Sequence, residues 1–121
     1  MACECVESTD INNPFPVISG AKWEFASDWD CGGNDIGFQS ASSWDGTTAT
    51  VVSRADCARK CLDAANCLSF NYPDPGSHNG MPLERCHWKH TNQQSAILGK
   101  TCGSSSADWQ YYTLLEKNPT C

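Results

Sequence analysis

The run Cys57-Ala58-Arg59-Lys60-Cys61-Leu62-Asp63-Ala64-Ala65-Asn66-Cys67-Leu68-Ser69-Phe70-Asn71-Tyr72 constrains the fold more than any other part of the chain. Residues four apart on a helix share a face, so Cys57 and Cys61 are both turned toward one neighbouring layer. Cys67 follows six residues later, where the segment runs into a short aromatic strand, and Cys86 heads the next such strand, Cys86-His87-Trp88-Lys89. A helix cross-linked to the strands that follow it is the expectation.

Composition fits a stapled module. Leu, Ile, Val and Phe number 18 of 121 residues, below the ~20% at which a chain without other support tends to disorder. Nine cysteines and five tryptophans answer that deficit, because cross-links restrict the unfolded chain and each indole buries a large apolar area. The cysteine count also points to an oxidising, secreted or extracellular compartment. Met1-Ala2-Cys3-Glu4-Cys5 has neither a charged leader nor an apolar core, so the chain reads as a mature form or a fragment of something longer. No stretch of 18 apolar residues is present, which argues against membrane insertion. A net charge of −6 argues against nucleic acid and anionic membrane as partners.

Residues 1–21, with Asn12-Asn13-Pro14-Phe15-Pro16, show no periodicity and are expected to form an extended arm or linker. The domain proper is expected over 22–117, with a tail at 118–121. Trp23-Glu24-Phe25-Ala26 alternates as a first strand. Asp30 to Gly37 reads as a tight glycine loop, 40–48 as a polar loop around Trp44, and Ala49-Thr50-Val51-Val52 as a short strand. Ser53-Arg54-Ala55-Asp56 is a capping box, opening a helix from Arg54 to about Ala65 with Ala55, Ala58, Leu62 and Ala65 on its buried stripe. Leu68 to Tyr72 is the next strand, stopped by Pro73-Asp74-Pro75-Gly76. Cys86 to His90 returns, Thr91 to Gly99 is a polar connection, and Trp109 to Leu115 closes the sheet. The fold class is α+β: one central helix packed on an antiparallel sheet of about five strands.

Three pieces of this sequence resemble the PAN/Apple domain family, over roughly residues 23 to 116. They are the helical Cys57-x3-Cys61 with Cys67 and the Phe70-Asn71-Tyr72 strand, then Cys86-His87-Trp88-Lys89, and the turn Gly33-Asn34-Asp35-Ile36, which is similar to that of protist and algal secreted members. The resemblance implies cross-links Cys57–Cys86 and Cys61–Cys67. It also implies a bond joining the ends of the domain, a role that Cys31 with Cys102 fills. Spacing alone leaves nine choices of odd thiol, each with about 105 pairings of the other eight. Cys3, Cys5 and Cys121 remain for an inter-subunit or terminal disulfide.

Enzymatic readings are weak. A cysteine nucleophile with His78, His87 or His90 competes with Cys86 as a structural half-cystine. His87 and His90 diverge on a strand, which disfavours a metal site, and Asp28, Asp30 and Asp35 fit turn hydrogen bonds better than calcium. No cofactor is expected. Among the tryptophans, Trp23, Trp88 and Trp109 belong to strands and to the core, while Trp29 and Trp44 lie in loops and suit an exposed platform. Trp44, with Asp74, His78 and Asn79 on the 73–82 loop, is the expected ligand site. The resemblance implies a non-catalytic recognition and adhesion module for a glycan or an extracellular protein. The alternative is a structural subunit of a filament or matrix, self-assembling through the N-terminal arm, which would contact a neighbouring chain.

Overall fold

A computed structural model describes residues 5–32, 35–38, 53–73, 86–91, 93–106 and 109–119. Its elements, in chain order, are β1 (Val17–Ile18), β2 (Ala21–Ala26), β3 (Trp29–Asp30), β4 (Asp35–Phe38), α1 (Arg54–Asp63), β5 (Ser69–Pro73), β6 (His87–Lys89), β7 (Ser104–Ser105) and β8 (Trp109–Glu116). Among the described residues, the helix packs on an antiparallel sheet ordered β1-β2-β8-β5-β6-β4, and β3 and β7 form a separate ribbon. The sheet therefore has five strands plus the two-residue β1. The expected strand over 49–52 lies outside the described residues.

Ser53 caps α1. Its hydroxyl accepts from the Asp56 amide at 3.0 Å and the Asp56 carboxylate accepts from the Ser53 amide at 3.4 Å, so two otherwise orphaned donors are satisfied. The helix stops at Asp63, one turn at most before the expected end. Cys57, Ala58 and Cys61 are its buried residues, whereas Ala65 is exposed beyond its C-terminus. The buried stripe is thus carried by cysteines rather than by Ala65.

Strand pleating splits the sheet into two unlike faces. Toward the helix, Phe25, Tyr112, Phe70 and Trp88 stand directly opposite one another on β2, β8, β5 and β6. Tyr112 stacks on Phe25 at 4.9 Å and on Phe70 at 5.0 Å, and Trp23 meets the edge of Phe70 at 5.1 Å. The buried indoles are satisfied: Trp23 Nε1 donates to the Ile18 carbonyl at 3.1 Å, and Trp88 Nε1 to the Cys57 carbonyl at 2.8 Å. Large rings thereby supply the apolar area that the short list of aliphatics does not.

The opposite face is polar yet buried: Glu24, Ser69, Asn71, Lys89 and Thr113 all lie within the interior. Segment 93–106 covers much of it. Glu24 accepts from the Ser95 hydroxyl and from the Ala96 amide at 2.9 Å. Thr113 donates to the Gln94 carbonyl at 3.0 Å, Tyr111 donates to the Ser69 hydroxyl, and Ser69 to the Thr91 carbonyl. Asn71 Nδ2 donates to the Trp29 carbonyl, and its oxygen accepts from the Cys31 amide. Buried polar groups are tolerated when paired in this way. Burial holds the Tyr111 phenol well above its ordinary value, only partly offset by its bonds to Ser69 and Thr113.

Disulfides tie these layers together: Cys57–Cys86 joins helix to sheet, Cys61–Cys67 closes the turn after the helix, and Cys31–Cys102 clamps the cover. Gly103, at φ +61°, follows the last of these, and a Cβ there would run into the Asp30 carbonyl. Only glycine fits that approach.

Three local expectations change. Trp29 is not a loop platform: it sits in β3, paired with Ser105, and its Nε1 donates to the Cys102 carbonyl at 2.6 Å. Asp35 to Gly37, read as loop, belongs to β4, because pairing with β6 gives its backbone a partner. Trp109 is half-buried, with its ring edge-on to His87 at 5.1 Å.

Candidate functional site

Residues 5–20, read as an arm or linker, fold back on their own domain. Val17–Ile18 forms a hairpin with β2 through Ser19 (φ +52°) and Gly20 (φ +79°), the double positive-φ pair that tight hairpins need. Upstream, the Phe25 amide donates to the Pro14 carbonyl at 2.9 Å and the Trp23 amide to the Pro16 carbonyl at 3.0 Å. Ser8 is a junction. Its amide donates to the Val17 carbonyl, its hydroxyl accepts from the Val17 amide at 2.8 Å, and its carbonyl accepts from Arg54 at 3.0 Å. Glu7 accepts from the Ser19 amide, and the Ser19 hydroxyl donates to the Ala55 carbonyl. These bonds dock the described part of the arm on its own domain.

The returning arm leaves a cleft between itself and the aromatic face of the sheet. Its volume is about 400 Å³, and Ile11, Asn12, Phe25, Arg54, Tyr72 and Gln110 supply much of the lining, with Ser27, Asp28 and Tyr112 completing it. That volume falls within the ~300–1,000 Å³ of small-molecule sites. Phe25 and Tyr72 are half-buried, whereas Tyr112 is 2% exposed and acts as their support. At one wall, Asp28 and Gln110 hold each other: the Asp28 amide donates to Gln110 Oε1 at 3.0 Å, and Gln110 Nε2 donates to Asp28 Oδ1 at 3.1 Å. At the other, the Arg54 guanidinium lies 5.8 Å from the Tyr112 ring centre, with Nη1 donating to the Tyr112 hydroxyl at 3.5 Å. Burial raises the Tyr112 phenol above its ordinary value, and Arg54 partly offsets the rise.

This arrangement offers aromatic surface, a fixed cation and several polar groups in one concavity. Among the described residues, no cluster of His, Cys, Asp and Glu is placed to hold a metal ion. The ligand residues expected from sequence, Trp44, Asp74, His78 and Asn79, lie outside the described residues, as do Cys3 and Cys121. Cys5 is disulfide-bonded, and its sulfur lies 3.9 Å from the Pro119 carbonyl. Sequence reasoning did not find the cleft. Its lining comes from the arm, the end of β2 and the turn after it, the first helical residue, and the distant strands β5 and β8, and no local motif joins them.

The family model described as PAN domain matches residues 39–116. No curated protein and no solved structure matches the chain.

Proposed function

Because the chain belongs to the PAN domain family, whose members are generally non-catalytic protein- or carbohydrate-binding adhesion modules, we propose that it acts as an extracellular recognition module taking a saccharide into the cleft between arm and sheet. One observation carries the reading: two half-buried rings, Phe25 and Tyr72, are flanked in a single concavity by Asn12, Ser27, Asp28, Arg54 and Gln110. A sugar presents C–H faces that pack on rings and hydroxyls that need donors and acceptors. The disulfides favour an oxidising compartment. Trp44 and the loop bearing Asp74, His78 and Asn79 remain proposed contributors. In sequence, the first lies shortly before Arg54 and the second directly follows the β5 strand that carries Tyr72.

Saturation-transfer NMR against a panel of mono- and oligosaccharides tests the proposal. Tyr72→Ala should abolish transfer to the bound sugar, with the backbone amide spectrum showing that the domain stays folded. Trp44→Ala and His78→Ala should weaken it. Transfer that survives Tyr72→Ala would place the binding surface elsewhere.

A further inference from the structure

Resting on that reading, we infer that the cleft is selective for a saccharide bearing a single carboxylate, with Arg54 as its receptor. Arg54 is the first residue of α1, so its backbone is fixed by the helix and its side chain by two neighbours. Both of those neighbours, the Ser8 carbonyl and the Tyr112 hydroxyl, are uncharged. Among the described residues the ion pair is Arg59–Asp56, and Arg54 takes no part in it. A guanidinium carries five N–H groups, of which these bonds use two. The planar fork is therefore held in place against an aromatic ring, with donors left for a partner. Carboxylate is the group that matches a guanidinium fork in two parallel bonds.

The rest of the cleft limits how much negative charge can enter. Asp28 lines the same hollow, with Oδ1 occupied by Gln110, and the chain as a whole carries a net charge of −6. A polyanion would meet repulsion from both. A lone carboxylate placed at Arg54, with ring hydroxyls turned toward Asp28, Gln110 and Ser27, meets its opposite charge at one end and acceptors at the other. The chemistry indicated is a uronic-acid type of sugar, bound as a single acidic residue rather than as a polyuronate or a heavily sulfated chain.

Titration of isotope-labelled protein with glucuronic acid, its methyl ester and glucose tests this, since the ring is common and only the group at C6 changes, from carboxylate to neutral ester to hydroxymethyl. Glucuronic acid should bind about tenfold more tightly than the ester, as expected for one charge-assisted, two-bond contact. Arg54→Gln should erase that difference, and Arg54→Lys should retain only part of it. The lysine variant keeps a cation and a donor toward Ser8, so it serves if the glutamine variant loosens the arm. The Phe25 amide, bonded to Pro14, reports whether the arm stays docked. Equal binding of acid and ester by the unmodified protein would overturn the inference while leaving the cleft as a sugar site. Binding of none of the three, with the unmodified protein also showing no transfer to any sugar of the wider panel, would remove the sugar reading and the inference with it.

Discussion

Replacing Cys31 and Cys102 together by alanine removes a cross-link that spans 71 residues, against 29 for Cys57–Cys86 and 6 for Cys61–Cys67. On the loop-closure model the three bonds stabilise by about 4.4, 3.6 and 2.2 kcal/mol respectively. Packing losses act in the other direction. Cys31, Cys57, Cys86 and Cys61 are wholly buried and Cys67 nearly so, whereas Cys102 is only half-buried. The first two variants are therefore close in cost, and the decisive comparison is between the longest and the shortest of these loops. Urea unfolding followed by linear extrapolation measures each loss. The Cys31/Cys102 variant should lose more than the Cys61/Cys67 variant, by up to about 2 kcal/mol once packing is subtracted, and its slope should rise because the freed denatured chain exposes more surface. Against a total of about 5–15 kcal/mol, such a loss leaves a marginal fold, so the scan belongs at low temperature. An equal or larger loss for Cys61/Cys67 would refute the entropic argument. It would mean that the hydrogen bonds under segment 93–106 hold the cover without its clamp.

Other outcomes follow from the same contacts. The Tyr111 and Tyr112 phenols are both raised by burial, so their contribution is fully present below the unfolded value of about 10 and is lost as pH rises through the folded values. Stability measured by urea midpoint should fall above about pH 10, by up to ~1.4 kcal/mol per pH unit for each phenol, and a flat alkaline limb would contradict the burial. Glu24→Gln places an amide donor where two donors now converge, and should cost about 1.5–3 kcal/mol. Faster hydrogen exchange at the Ala96 amide would locate the effect. Gly103→Ala forces the Asp30 carbonyl aside at a positive φ and should cost at least about 1 kcal/mol, measured by the shift in thermal midpoint. A neutral result there would show that the β3–β7 ribbon yields easily.

Elements with a local signal were legible in the residues themselves. Ser53 and Asp56 announced the helix start, alternation marked β2, and short aromatic-rich runs marked β5 and β8. The buried polar face was not legible, because Glu24, Ser69, Asn71 and Thr113 alternate with aromatics just as solvent-facing residues do. The segment that covers them is itself polar and lies 20 or more residues from most of its partners, so no hydrophobic pattern marks it. The arm was misleading for a related reason. A strand of two residues has no measurable period, and Pro14 and Pro16 read as linker although their carbonyls accept bonds from β2. The cleft shares this difficulty, since Arg54 reads as a helix-opening surface residue until Ser8 and Tyr112 are brought to it by the sheet.

The closeness of Cys5 to Pro119 bears on architecture at a larger scale. Chain enters and leaves this unit at nearly one point, so the unit can hang from a host polypeptide as a side-branch without stretching the host's own path. Copies in series would each add little contour length. Even a weak single-site grip would suffice in that arrangement, because neighbouring units raise the local concentration of one another's sites on a multivalent surface.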